Sequence, residues 1–393
     1  MDKAFDCGRA WAGPYALGVR PHPSHSTKAH PQYGRALRVG SLGHLRVEHA
    51  FADPVPGLDW DARVARWQAA ESLPYYPRED ADAEFAANLV IADLRDKGRV
   101  PVRESHQFKD RGPMIERMVC AAWDDVSRVL GPNIPPNVLR AFAGLGGRID
   151  MVDSAGPLDK FGRDGREVTV RDFKFTGKAL GVSEDEPGDA AAADRQLAVY
   201  RIILRALGFE AVEFVQTVVR AEEMLTIEDF TREGSPHVRA DGLPSRIPKN
   251  VTGAVWGTAW DVLVARRGRA PTPADVREHN AHLDELASIK RLVDRPKSVA
   301  WSVAREVVID ALHQVDSRLR DWHTARLAPA NHRSFPRSPC QRGGFCDMKD
   351  ACRAATGSAS TFESVCRDLA ARGIYEDREA RHARVALAEE TIP

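Results

Sequence analysis

The chain has 393 residues, 43% of them hydrophobic and 28% charged, with 56 basic residues balanced by 56 acidic ones. That length holds two average domains or one elaborated domain, and the composition allows a sizeable buried core. Zero net charge excludes a protein that coats nucleic acid through a global basic field, so any phosphate contact must come from a local patch of Lys and Arg.

Residues 1–13 carry no apolar run of signal-peptide length, and no stretch approaches the ~20 apolar residues of a membrane span. The expected setting is the cytoplasm, without membrane association. There the six cysteines are not expected to form a disulfide framework. Polar stretches with Pro and Gly at 21–34, 74–80, 131–137, 181–189 and 234–249 mark loops. Between them, apolar spacing predicts helices over 83–97 and 114–130, the second carrying Cys120. Residues 147–152 and 167–175 read as strands, with Val168, Val170 and Phe173 supplying β-favouring side chains. A helix over 191–207 lines Leu197, Tyr200, Leu204 and Leu207 along one stripe. Residues 210–219 read as a further strand, and 273–292 and 298–327 as long helices. The order strand, strand, helix, strand predicts an α/β fold with one mixed sheet. We expect a single domain over 1–393, a helical insertion at 51–141, a mainly helical addition at 221–330 and a cysteine cluster at 331–360.

Asp172 and Lys174 lie two apart on a strand, so their side chains leave one face. A hairpin with the preceding strand would bring Asp150 alongside Asp172. Two carboxylates and a backbone carbonyl, here that of Phe173, form an all-oxygen site suited to Mg²⁺ or Mn²⁺. Such an ion polarises a phosphodiester and activates water, and a lysine on the same face can orient that water. By themselves these three residues also fit a surface ion pair. Gln196 and Tyr200 follow, four apart and therefore neighbours on one helical face.

The order Gly-x-x-Asp (Gly147 to Asp150), Asp-x-Lys (Asp172 to Lys174) and Gln-x-x-x-Tyr (Gln196 to Tyr200) resembles the RecB-like branch of the PD-(D/E)XK nucleases. Thr176-Gly177-Lys178 resembles the end of that branch's Asp-x-Lys strand, with Phe175 inserted. An upstream Gly-x₃-His is present as Gly40 to His44. The resemblance implies a restriction-endonuclease-like sheet flanked by helices. It implies a catalytic centre of Asp150, Asp172, Lys174, Gln196 and Tyr200, with His44 holding or positioning metal beside the carboxylates. It further implies a metal-dependent DNA nuclease, expected to be an exonuclease of recombination, repair, phage or CRISPR-type processing. Arg148, Arg171, Lys178, Arg195 and Arg201 are basic residues available to a DNA path.

Cys340, Cys346 and Cys352 have five residues between each pair, a clustering that suits zinc or an iron–sulfur centre. His332 could complete a zinc site. Cys7-Gly8-Arg9-Ala10-Trp11 is similar to the N-terminal Cys-Pro-Arg-Arg-aromatic segment of RecB-like nucleases that carry a 4Fe-4S cluster, such as the AddAB nuclease subunit and the CRISPR-associated exonucleases. That likeness implies Cys7, Cys340, Cys346 and Cys352 as the cluster ligands. Gly8 in place of proline and the long gap from Cys340 to Cys346 depart from the pattern and keep zinc as the alternative. The sequence has no Walker A, Gly-x-Ser-x-Gly or His-Glu-x-x-His pattern, so the resemblance implies a helicase or integrase partner for work on duplex DNA. Two readings compete: a catalytically inactive DNA-binding scaffold of the same fold, and a zinc-stapled structural protein. The intact Asp150, Asp172 and Lys174 argue against the first.

Overall fold

The computed structural model describes residues 12–25, 34–51, 59–71, 73–101, 115–120, 123–131, 133–134, 146–154, 166–176, 187–246, 248–297, 299–325, 348–355 and 359–390. In chain order they form β1 (Arg20–Pro21), α1 (Arg35–Phe51), α2 (Trp60–Glu71), α3 (Pro77–Asp96), β2 (Val100–Pro101), β3 (Ile115–Cys120) and α4 (Trp123–Leu130). Next come β4 (Gly146–Ser154), β5 (Arg166–Thr176), α5 (Pro187–Ala206) and β6 (Phe209–Arg220), then α6 (Ile227–Thr231), α7 (Gly253–Arg267), α8 (Pro273–Ser288) and β7 (Leu292–Lys297). The C-terminal part holds α9 (Trp301–Ala325), α10 (Lys349–Ala355), α11 (Phe362–Ala371), β8 (Tyr375–Glu376) and α12 (Arg378–Glu390).

One mixed sheet organises these elements, in the order β4-β5-β6-β7, with β2 and β3 both paired to the outer edge of β4. β5 and β6 run parallel from Arg166↔Phe209 to Thr176↔Arg220, and the other central pairs are antiparallel. A parallel pair needs a crossover of a dozen or more residues, and α5 supplies it. The even-numbered Val168 and Val170 point to the core under α5, which α4 and α9 complete through Val126, Leu130, Ala304, Val308 and Leu312. The odd-numbered Phe173, with Met151, points to the opposite core under α1 and α3. The result is the helix-flanked mixed sheet of a restriction-endonuclease-like fold. Among the described residues no helix is long and apolar enough to cross a membrane.

Two expected helices end differently. Residues 115–120 are a strand rather than the first turns of a helix, because Ile115 to Cys120 pair antiparallel with Met151 to Gly146. The ladder overrides a local apolar spacing that only α4 realises. Similarly, α8 stops at Ser288, and Leu292 begins a strand whose residues 292–297 pair with 219–214 of β6. Pro296 is accommodated there because β7 is the last strand on its side of the sheet.

Helix α1 is fixed twice. Arg38, fully buried, makes a two-pronged bond to Glu79 of α3, with Nε–Oε2 and Nη2–Oε1 both 2.7 Å. Arg46 makes a second such bond to Asp80 at 2.9 and 2.7 Å, and Asp80 also accepts from Tyr75 and Trp60. Against the sheet, Gly43 faces the ring of Phe175: a Cβ there would lie 2.8–2.9 Å from three ring carbons. Gly40, by contrast, has open space where its Cβ would be. Gly43→Ala should therefore destabilise the protein by about 1–3 kcal/mol through overpacking, although alanine is the better helix former by ~1 kcal/mol. In a Phe175→Ala background the same substitution should become stabilising, and urea unfolding midpoints of the four proteins check the change of sign.

Candidate active site

The candidate site forms where β4 and β5 part. Their ladder pairs Asp153, Val152 and Met151 with Thr169, Val170 and Arg171, and continuing that register sets residue 150 opposite 172. There a side chain intervenes: Asp150 Oδ2 accepts the backbone N–H of Phe173 at 2.7 Å. The alternation of β4 also slips here. Ile149 and Val152, three residues apart, both reach the core under α5, while Met151 reaches the other one. Side chains from both layers can therefore approach the same carboxylate.

His44, on α1, does so from the layer opposite α5. Its Nδ1 lies 3.8 Å from Asp150 Oδ2. The imidazole is held edge-on against Phe175, with ring centroids 5.1 Å apart at 76°, and beside Phe173 at 6.1 Å. Phe175 thus buttresses the histidine and is the reason position 43 needs glycine. From the other side, Asp172 Oδ1 accepts from Lys174 Nζ at 2.9 Å and Oδ2 accepts from Gln216 Nε2 at 3.0 Å. Lys174 is half exposed, with its ammonium at the open side of the site. Gln216 was not singled out in the sequence. Its signal is a polar residue within the apolar run of β6, and the parallel register sets it beside Asp172.

Burial pushes the Asp150 carboxyl up to about 7, and the negative charge of Asp172 beside it adds to the rise; the Phe173 N–H and the Lys174 ammonium oppose it. Two carboxylates crowded in low dielectric with one lysine form a site short of positive charge. Oxygens joined by one imidazole are donors suited to a hard or borderline divalent cation. Among the described residues no group of three or more His, Cys, Asp and Glu side chains is drawn together tightly enough to define a metal centre by itself.

The residues around the acids are held by ion pairs. Asp153, fully buried, takes Arg171 Nε at 2.5 Å and also Arg99. Arg201 is bound to Glu210 at 2.5 Å and to the carbonyl of Val299. Arg171 and Arg201 are therefore structural cations. On α5, Gln196 Nε2 donates to Tyr200 Oη at 2.6 Å, with Tyr200 buried. This pair lies on the helix that covers the sheet face of Asp172 and Lys174. Of the four cysteines, Cys7, Cys340 and Cys346 lie outside the described residues, as does His332, while Cys352 sits partly buried on α10.

A mixed sheet with a parallel crossover pair, carrying an acid pair and a lysine where two strands separate, is the core of a phosphodiester-cleaving class of enzymes. The family model of the PD-(D/E)XK nuclease superfamily matches residues 2–353, nearly the whole chain, and the protein belongs to that superfamily. No curated protein and no solved structure matches the chain.

The folded Asp150 carboxyl holds its proton to about 7, against 3.8 for a free aspartic acid. Between those values the folded state binds more protons than the unfolded state, so stability falls as pH rises, by at most ~1.4 kcal/mol for each pH unit crossed. Asp150→Asn keeps an oxygen for the Phe173 N–H and removes this dependence. In EDTA the variant should match or trail wild type near pH 4 and melt higher near pH 8. A difference in melting temperature that is the same at both pH values would overturn the assignment.

Proposed function

We propose that the protein is a divalent-metal-dependent deoxyribonuclease of the RecB-like type. We read it as an exonuclease that hydrolyses DNA phosphodiester bonds in recombination, repair, phage or CRISPR-type processing. The observation that carries this reading is the convergence of Asp150, Asp172, Lys174 and His44 at the parting of two strands. Asp150, Asp172, the Phe173 carbonyl and His44 would hold Mg²⁺ or Mn²⁺, which supplies charge neutralisation at the phosphate and a more acidic bound water.

The chain's own groups then divide the work. Asp150 is kept in place by the Phe173 N–H and Asp172 by Gln216. Lys174, whose ammonium donates to Asp172 at 2.9 Å, would orient the attacking water and donate to the negative charge that builds on phosphorus-bound oxygen. Gln196 and Tyr200, already joined at 2.6 Å, offer an amide and a phenol to a flanking phosphate. Phe175 keeps the His44 ring from turning away. DNA is the substrate in this reading, which sets the protein in the cytoplasm beside a helicase or integrase partner that separates the strands.

The same reading treats 1–393 as one nuclease domain with additions at 51–141 and 221–330 and a cysteine cluster at 331–360. Cys7, Cys340, Cys346 and Cys352 are its 4Fe-4S ligands, with zinc as the alternative occupant. Its support is the meeting of early and late segments of the chain. Val19, Met348 and Ala351 belong to one apolar cluster against which Leu17 and Cys352 pack, and a Cβ on Gly13 would overlap the side chain of Met348. β1 pairs with β8, Arg20 opposite Glu376.

A cleavage assay on end-labelled single-stranded, duplex and circular DNA tests the activity. Lys174→Ala and Asp172→Asn should each lose at least ~100-fold of the rate with Mg²⁺ or Mn²⁺, and EDTA should abolish cleavage. Equal activity of Lys174→Ala and wild type would sink the assignment. Iron and acid-labile sulfide in the purified protein test the clasp: Cys346→Ala should lose both and melt lower, whereas zinc without sulfide would establish the alternative.

A further inference from the structure

We infer that the insertion between β6 and β7 carries a phosphate-binding subsite for the nucleic-acid backbone, separate from the carboxylate centre. The inference rests on the nuclease reading for the source of the phosphate. It stands on the geometry of one cavity for the ligand's chemistry.

The insertion stands on the edge of the sheet that bears the candidate site. β6 ends at Arg220 opposite Thr176, just past Lys174, and β7 begins at Leu292 opposite Val219. Residues 221–291 therefore leave and rejoin the sheet at the C-terminal ends of the parallel pair. They build their own small core around Phe230, Trp256 and Leu263. They are tied down by Arg78, which reaches Asp229 and the carbonyl of Met224, and by Arg291, which reaches Glu222 and the carbonyl of Lys249.

Between the end of α6, the turns at 232–242 and the last turns of α7 lies a cavity of about 490 Å³. Four arginines line it, at 232, 239, 266 and 267, against two acids, Glu233 and Asp241. Arg239 bonds to Glu278 at 2.9 Å and to Asp241 at 3.3 Å, and so neutralises one of those acids. Arg266 is anchored by donating to the carbonyl of Thr231 at 2.7 Å.

Arg267 is different. Its side chain is only 9% exposed, and among the described residues its Nε and Nη1 have no hydrogen-bond partner. The nearest carboxylate oxygen, Asp275 Oδ2, is 3.8 Å from Nη1. That oxygen already accepts both the N–H and the hydroxyl of Thr272, at 2.9 Å each, in the capping box of α8. Two nitrogens of this guanidinium are thus shielded from water without a hydrogen-bond acceptor, Asp275 standing only at ion-pair distance, an arrangement that an anion at the cavity would relieve. A phosphate offers several acceptors to such a fork, and a cavity of this volume admits a nucleotide unit rather than an isolated ion. Arg232 and Arg266 at the same cavity supply further charge for a backbone lying between this subsite and the carboxylates.

The test uses the full protein in EDTA, so that binding is read without cleavage. Anisotropy of fluorescein-labelled single-stranded and duplex oligonucleotides is measured across a salt series for wild type, Arg267→Gln and the exposed charge reversal Arg232→Glu. In parallel, melting temperatures are recorded with and without inorganic pyrophosphate. Each variant should bind the oligonucleotide about tenfold more weakly, with a salt slope smaller by ~1. Pyrophosphate should raise the melting temperature of wild type and not that of Arg267→Gln. Unchanged affinity and slope in Arg232→Glu and in folded Arg267→Gln would overturn the subsite. A pyrophosphate effect that depends on Arg267, alongside unchanged oligonucleotide binding, would overturn the nucleic-acid assignment in favour of a free phosphoryl ligand. Wild type that binds DNA through Arg267 without cutting it would sink the nuclease reading alone, and cutting with binding indifferent to Arg267 would sink the subsite alone.

Discussion

The candidate site depends on a local break in the ladder between β4 and β5, where the Asp150 carboxylate takes the N–H of Phe173. A continuous ladder would seal the sheet and leave His44 on the far side of it. With the strands parted, an imidazole from one helical layer and a lysine and glutamine from the sheet converge on two carboxylates. The break is bounded on one side by Asp153, which binds Arg171 and Arg99, and supported on the other by Arg38 and Glu79, which seat α1. Buried ion pairs of this kind add little net stability, yet removing one partner costs about 3–5 kcal/mol because it strands a charge. Their value here lies in register: they penalise any slip of β4 against β5, or of α1 against α3, that would separate His44 from Asp150.

Much of this was legible in the sequence because it follows from short-range periodicity. The two-residue repeat sets Asp172 and Lys174 on one face, and the four-residue repeat joins Gln196 to Tyr200. A hairpin register is enough to predict that Asp150 meets Asp172. His44 was legible only through the order of motifs, since nothing in α1 itself distinguishes it from a surface histidine. Gln216 was hidden because its neighbour is set by a parallel crossover, a relation that a strand's own composition does not encode. β3 and β7 were missed for a related reason. Each is six residues long, lies beside a helix, and gains its stability from pairing with a strand distant in the sequence. The upstream glycine of the motif proved the less constrained one: Gly43, against Phe175, is where the backbone must come close.

The zero net charge of the whole chain conceals a local separation. Two acids, Asp150 and Asp172, meet where β4 and β5 part, and arginines line a cavity in the insertion that leaves the sheet at the C-terminal ends of the parallel strands. A uniform basic coat would crowd the carboxylates with competing cations and weaken any hold on metal. Partition instead gives the chain an acid pair at the parting of β4 and β5 and an arginine-lined cavity in the insertion.

The pairing of β1 with β8 has a consequence for the protein's birth. Residue 20 finds its strand partner at residue 376, and among the described residues Leu17 and Val19 share an apolar cluster with residues of the 348–375 segment. A ribosome working at ~5–20 residues per second leaves these early residues uncovered for roughly tens of seconds before their partners emerge. His44 to Gln216, by contrast, can gather as soon as β6 is out. The carboxylate centre is thus able to form while β1 still awaits β8, whose pairing joins residues more than 350 positions apart.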